Sequence, residues 1–167
     1  MAQAIILQGS NQGDRYNFLK ISENLISEKI GLILNKSPIY ESEPWGFETS
    51  EWFLNRVLIV ETKLAPTEIL KQLLSIENQL GRVRNDKESY QSRSIDLDIL
   101  FIDNQIIETL DLTIPHPRLQ NRIFTLIPLC DILPNFIHPI FNKSISELLD
   151  ICEDQSVVLS WQSCKKG

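Results

Sequence analysis

The order in which structural signals follow one another constrains this chain more than any single motif. AIILQ at 4–8 reads as a short buried strand, followed by a turn in GSNQGD with Gly9, Asn11 and Gly13. A helix starts near Asp14, a good N-cap, and carries Phe18, Ile21, Leu25 and Ile26 on one side. Gly31 is suited to stop it in the left-handed conformation. Residues 31–40 read as a strand and 41–52 as a loop. FLNRVLIVETK at 53–63 is a strand with Phe53, Asn55, Val57 and Ile59 on one face and Leu54, Arg56, Leu58 and Val60 on the other. Pro66 at the first helical position, Glu68 in the first turn and Gly81 at the end mark a second helix. Its apolar face holds Ile69, Leu70, Leu73, Leu74, Ile76 and Leu80. A polar loop, 82–92, leads into the strand RSIDLDIL at 93–100.

That order, β-α-β-β-α-β, predicts an α+β fold with a three-layer, ferredoxin-like core and C-terminal additions. The additions are a short strand at 104–109, a helix near 118–130 and a small helix from about Ser144. A length of 167 residues with 43% hydrophobic composition suits one domain, residues 1–167, and no repeat or linker interrupts it.

The strand at 93–100 carries two acids, Asp96 and Asp98, among Ile and Leu. Residues two apart on a strand share a face, with Cα atoms about 6–7 Å apart. Two carboxylates so placed repel each other unless a cation lies between them, and hard divalent cations take oxygen ligands. Strict alternation puts Leu100 and Ile102 on the same face, so the acids form the polar end of an apolar strip.

Five of the seven arginines, Arg82, Arg84, Arg93, Arg118 and Arg122, fall between positions 82 and 122, around that pair. Forked guanidinium groups match phosphate oxygens, and Mg²⁺ is held by one or two carboxylates together with substrate phosphates. The two observations together point to phosphoryl chemistry. No GxxxxGK[ST] and no protein-kinase signature set is present. The net charge of −6 argues against broad nucleic-acid or membrane binding.

A second constellation is aromatic. Trp45, Phe47, Trp52 and Phe53 lie within nine residues, and Asn55 shares a strand face with Phe53. A flat ring can stack on Phe53 while the Asn55 amide reads a donor–acceptor edge, which suits a fused heterocycle. Cys130, Cys152 and Cys164 make no CxxC and no zinc spacing with His116 or His138, so reduced thiols in a cytoplasmic protein are expected. The short apolar N-terminal run lacks a basic leader, so no signal peptide is expected, and no segment suits a membrane span.

GSNQGDR at 9–15, FLN at 53–55, GRVR at 81–84, RSIDLDIL at 93–100 and PHPRLQNRIFTLIPL at 115–129 occur in an order that resembles the 6-hydroxymethyl-7,8-dihydropterin pyrophosphokinases of folate biosynthesis. The resemblance runs from about residue 4 to 150. It implies transfer of the β,γ-diphosphate of ATP to the pterin hydroxymethyl group, with release of AMP. It implies that Asp96 and Asp98 bind two Mg²⁺ ions bridging the ATP phosphates, with Arg82 and Arg93 also catalytic. It gives Arg82, Arg84, Arg93, His116 and Arg122 to the triphosphate and Ile99, Leu112 and Thr113 to the adenosine side. Phe53 and Phe124 would stack the pterin, with Asn55 and the backbone near Ser42, Pro44 and Trp45 on the ring edges and Asp96 close by. The loops 42–52 and 82–92 would close over both substrates, and the protein would act as a monomer.

Three departures stand out. Tyr90-Gln91-Ser92 replaces a frequent Trp-Gly-Pro, Asn85 replaces a residue that is basic in some relatives, and Gln120-Asn121 replaces a frequent His-Glu. Two other readings fit parts of the pattern. A palm-like nucleotidyltransferase also uses paired Asp on a strand, but needs a basic track for its nucleic acid. A non-catalytic ligand-binding module is compatible with the same fold, but leaves the arginines around the acid pair without a role.

Overall fold

The structure is a computed structural model that describes residues 1–44, 51–81 and 94–162. Strand β1 spans Ala2–Ser10, helix α1 Arg15–Lys29, β2 Gly31–Lys36, β3 Tyr40–Ser42 and β4 Phe53–Thr62. Helix α2 spans Pro66–Gln79 and β5 Asp96–Ile102. Then come β6 (Ile107–Glu108), β7 (Thr113–Ile114), a 3₁₀ turn (Leu119–Asn121), α3 (Ile123–Ile132), α4 (Ile145–Ile151) and β8 (Val158–Ser160).

The main sheet runs β5-β1-β4-β3-β8, with β2 also on β4, and every pairing in it is antiparallel. This is the expected α+β, ferredoxin-like arrangement, in three layers. On one face α1 and α2 pack Leu19, Ile26, Ile69, Leu73 and Ile76 onto Ala4, Ile6, Leu54, Leu58 and Ile99. On the other, α3 and α4 pack Leu126, Leu129, Ile145 and Leu148 onto Ile5, Leu7, Val57 and Phe101. Burying side chains of this size contributes roughly 1.5–3 kcal/mol each. Polar groups also fix α1 to the sheet. Buried Gln8 donates to the Leu19 carbonyl at 3.0 Å and to Ser22 Oγ at 2.7 Å, and buried Arg56 donates to Gln8 Oε1 at 3.2 Å and Glu23 at 2.5 Å.

The helix ends largely follow the sequence. Asp14 Oδ1 accepts from the Asn17 N–H at 3.1 Å, Glu68 accepts from the Ala65 N–H at 3.0 Å, and Gly81 takes φ +91° just past α2. Gly31 does not stop α1 in the left-handed conformation; the cap is Ile30, and Gly31 opens β2. Its glycine is required for another reason: a Cβ there would lie 2.0 Å from the Glu61 carbonyl oxygen.

Other expectations shift. The strand expected over 31–40 breaks at Ser37-Pro38, because proline supplies no ladder N–H. Ser37 Oγ bridges the gap by accepting from the Val57 N–H at 2.9 Å. Gly9 belongs to β1 and not to the turn that follows it. The strand expected at 104–109 shortens to Ile107–Glu108, because residues 103–104 form a turn with Asp103 at φ 47°. The helix expected near 118–130 becomes a 3₁₀ turn and then α3, which runs on to Ile132. β7 and β8 are additional.

Candidate active site

The site is built on the α3 face of the sheet. Strand register places Tyr40 opposite Asn55, Asn55 opposite Gly9, and Gly9 opposite Asp96, so one row crosses β3, β4, β1 and β5. The neighbouring row pairs Val57, Leu7 and Asp98. Paired residues of antiparallel strands present their side chains to the same face. The acids, the amide and the Phe53 ring therefore share a floor, although forty residues separate Asn55 from Asp96.

Asp96 and Asp98 are half-buried. A bulge between Ile5 and Ile6 makes Leu100 the extra residue of β5. In consequence Leu100 lies on the acids' face as expected, Phe101 joins it there, and Ile102 turns instead into the α1–α2 layer. A bulge inserts one residue and resets the alternation, which a strict period of two does not anticipate. Buried Glu77 from α2 accepts from the Leu97 N–H at 2.9 Å, at the midpoint of the acid pair on the edge strand.

At the β3–β4 end of the row, Ser42 and Asn55 are buried, and Asn55 Nδ2 donates to Ser42 Oγ at 2.6 Å. That bond fixes the carboxamide plane. Gly9 lies directly beside it: a Cβ at position 9 would meet Asn55 Oδ1 at 3.2 Å and Phe53 Cδ1 at 3.6 Å. Pro44 is half-buried at the end of the same wall. Asn11 Nδ2 reaches the Glu51 carbonyl at 3.4 Å, and Arg15 Nη1 donates to the Trp52 carbonyl at 2.9 Å and to Glu41 at 2.6 Å. These contacts tie the turn after β1 to the segment entering β4.

The segment after β7 brings up the other wall. The His116 N–H donates to the Leu100 carbonyl at 3.0 Å, which anchors it to β5. His116 Nδ1 accepts from the Arg118 N–H at 3.1 Å, so the neutral ring carries its proton on Nε2. Burial, then the Arg122 charge, pull the His116 pKa down to about 4, against an opposing pull from Asp96. Asp96 and Arg122 each lie within electrostatic reach of His116. Buried Arg122 lies with its guanidinium carbon 5.6 Å from the centre of the Phe124 ring, at the start of α3. Across from it the Tyr40 hydroxyl donates to Asp131 near the end of α3, and burial with that bond raises the Tyr40 pKa to about 12.

Ile99 and Leu112 are buried in the α1–α2 layer, on the opposite face of the sheet from the acids, and Thr113 is exposed on β7. Trp45, Arg82, Arg84 and Arg93 lie outside the described residues, as do Tyr90-Gln91-Ser92 and Asn85. Gly9, Tyr40 and Glu77 carry parts of the site that the sequence reading does not single out. The unbroken run Ala2–Ser10 is the one feature that would have drawn Gly9 into the strand.

The acid pair can hold a hard cation. Among the described residues no group of three or more His, Cys, Asp or Glu side chains is placed to enclose a metal. Two carboxylates on one strand face leave most coordination positions to water or phosphate oxygen. That matches Mg²⁺ and not a closed protein cage. Among the described residues no helix is long and apolar enough to cross a membrane.

Comparison with known proteins shows the family of the chain. The family model for 7,8-dihydro-6-hydroxymethylpterin-pyrophosphokinase matches residues 5–134. The 2-amino-4-hydroxy-6-hydroxymethyldihydropteridine pyrophosphokinase of Aquifex aeolicus is 40% identical over 152 residues, covering 88% of this chain and 90% of that protein. The Bacillus subtilis protein of the same name is 41% identical over 130 residues, covering 77% of each. The folic acid synthesis protein fol1 of Schizosaccharomyces pombe is 35% identical over 152 residues, which cover 90% of this chain but only 20% of that protein. A solved HPPK-DHPS in complex with substrates shares the fold, with a TM-score of 0.74 at 18% identity, over 89% of this chain and 43% of that one. With the match spanning most of the sequence and a near full-length relative at 40% identity, the chain belongs to the 7,8-dihydro-6-hydroxymethylpterin-pyrophosphokinase family and is a pyrophosphokinase of folate biosynthesis.

Proposed function

We propose that the row Asn55–Gly9–Asp96 is the line along which the two substrates meet. The pterin lies over β4 and the triphosphate of ATP over the edge of β5. The register that brings these three residues side by side carries the reading. Adjacent strands lie about 4.8 Å apart, so Asn55 and Asp96 are separated by roughly 10 Å across Gly9. A flat bicyclic ring with its amide edge on Asn55, between Phe53 and Phe124, directs its hydroxymethyl group over Gly9 towards Asp96. Ser42 and Pro44, with Trp45, border the ring.

Asp96 and Asp98 hold Mg²⁺, two ions in this reading. When bound, the metal neutralises phosphate charge and lowers the pKa of the attacking hydroxyl. That hydroxyl oxygen bonds to the β-phosphorus in line and releases its proton to solvent water, the bond from that phosphorus to the α–β bridging oxygen breaks, and AMP leaves with the electron pair. His116, neutral with its proton on Nε2, donates to a phosphate oxygen without needing to titrate. Arg122 adds fixed charge at the same oxygens, and Arg82, Arg84 and Arg93 act on the triphosphate. Ile99, Leu112 and Thr113 meet the adenosine where the nucleotide passes over the β5 edge. The enzyme works as a cytoplasmic monomer with no nucleic-acid partner, and its half-buried Cys130 and Cys152 are free thiols.

Asp96→Asn and Asp98→Asn test the assignment. Each should lower turnover on the order of 10²–10³-fold or more. Each should also weaken Mn²⁺ binding, read by electron paramagnetic resonance in the presence of a non-hydrolysable ATP analogue. Wild-type turnover and Mn²⁺ binding in either variant would remove the pair from the metal site.

A further inference from the structure

The family match ends at residue 134, but the chain beyond it returns to the site. After α4 it passes the first turn of α3 and then joins the sheet as β8 on the outer side of β3. Asp154 makes the first of these contacts. Its Oδ2 accepts from the N–H of Ile123, the first residue of α3 and 31 positions away, at 3.0 Å. Its Oδ1 accepts from the Ser156 N–H at 2.9 Å and the Ser156 hydroxyl at 2.5 Å. One carboxylate thus joins helix and strap.

The other end of the strap is fixed just ahead of the aromatic loop. The Val157 N–H donates to Glu43 Oε1 at 2.7 Å, and the Glu43 N–H donates to the Val157 carbonyl at 3.2 Å. β8 then pairs Val158 with Ser42 and Ser160 with Tyr40. The strap therefore runs from the helix that carries Phe124 to the strand that carries Ser42.

The N-cap of α3 is Arg122, whose side chain makes no capping hydrogen bond. The first N–H groups of a helix need acceptors, and a carboxylate there also suits the helix dipole. Burial acts against the Asp154 charge, but the bonds from Ser156 and Ile123 outweigh it and hold the pKa below the usual range. The residue is ionised at neutral pH and supplies the missing cap from a distant part of the chain.

We infer that Asp154 is a positioning residue for the pterin pocket: it docks the C-terminal strap on the first turn of α3 and so fixes the Phe124 wall relative to the Ser42–Glu43 wall. The inference rests on the assignment of Phe124 and Asn55 to the pterin. Arg122 depends on the cap less, because its N–H is held by the Leu119 carbonyl at 3.3 Å within the preceding turn.

The test uses the full chain with Asp154→Ala, Asp154→Asn, Ser156→Ala and Phe124→Ala. Calorimetric titration gives Kd for 6-hydroxymethyl-7,8-dihydropterin and for a non-hydrolysable ATP analogue, and steady-state kinetics give kcat and KM. Asp154→Ala should raise the pterin Kd on the order of five- to tenfold, the size of one lost helix cap. The ATP-analogue Kd and kcat should change less than about twofold. Asp154→Asn, which keeps one carbonyl acceptor, should fall between Asp154→Ala and wild type. Ser156→Ala leaves Ile123 capped and should have the smallest effect. A wild-type pterin Kd in folded Asp154→Ala overturns the inference, as does equal weakening of both ligands. If Asp154→Ala does not fold, the same criteria apply to Asp154→Asn. If Phe124→Ala leaves pterin binding unchanged, the pocket assignment itself fails. If it weakens binding and the Asp154 variants do not, only the strap inference fails.

Discussion

Replacing Gly9 by alanine puts one methyl group into the middle of the proposed site. The new Cβ would lie 3.2 Å from Asn55 Oδ1, 3.6 Å from Phe53 Cδ1 and 4.0 Å from the Leu54 carbonyl. The last two are ordinary contacts. The first is too close by a few tenths of an ångström, and the atom that must move belongs to a carboxamide fixed by a 2.6 Å bond to Ser42. Disturbing one buried, oriented hydrogen bond costs about 1–2 kcal/mol, which corresponds to roughly five- to thirtyfold in pterin affinity. Stability should fall by no more than about 1–2 kcal/mol, because Gly9 has no left-handed φ and alanine recovers about 0.4–1 kcal/mol from a less flexible unfolded chain. The assay is pterin titration with the ATP analogue present, alongside thermal melting. The predicted result is a Tm within a few degrees of wild type, a pterin Kd raised about tenfold, and unchanged nucleotide affinity. A pterin Kd within twofold of wild type would refute the claim that Gly9 lies under the ring.

The remaining predictions concern stability. In Gly31→Ala the Cβ meets the backbone of Glu61, which cannot step aside, so β2 must part from β4. A loss of about 3 kcal/mol and a Tm lower by roughly 6–12 °C are expected, and an unchanged Tm would contradict the packing. His116 is neutral down to about pH 4 when folded, against an unperturbed value near 6.5. The unfolded chain therefore binds more protons between those values, so stability should be full above about pH 6.5 and fall on acidification towards pH 4. Urea melts of wild type and His116→Gln across that range should show a smaller loss in the variant; equal slopes would refute it. Asp154 has its folded pKa depressed, so its contribution is complete above its unfolded value near 4 and fades as pH falls through the lower folded value. Asp154→Asn should flatten that acid limb, and an unaltered limb would exclude it.

Much of the fold is legible in the sequence because its information is local. Asp14, Pro66, Glu68 and Gly81 mark helix ends by chemistry that operates within a few residues. The acid pair is legible for the same reason: Asp96 and Asp98 declare a shared face through their spacing alone. What is not legible depends on contacts between remote segments. Gly31 looks like a helix stop, and only the approach of Glu61 from β4 gives its actual role. The reset of alternation at Leu100 exists only in the pairing with β1, and Gly9 joins Asn55 to Asp96 only once strand order is fixed. Asp154 sits in a tail without apolar periodicity, and its partner is a backbone N–H, which no side-chain pattern reveals.

The central claim is that this site moves a diphosphoryl group from ATP to a hydroxymethyl oxygen. The most direct measurement is ³¹P nuclear magnetic resonance of one turnover, with enzyme in excess over ATP and 6-hydroxymethyl-7,8-dihydropterin and with Mg²⁺ present. The account predicts AMP and pterin diphosphate in equal amounts, with neither formed when the pterin is omitted. ADP with a pterin monophosphate, or AMP with free pyrophosphate at the same rate with and without pterin, would contradict it.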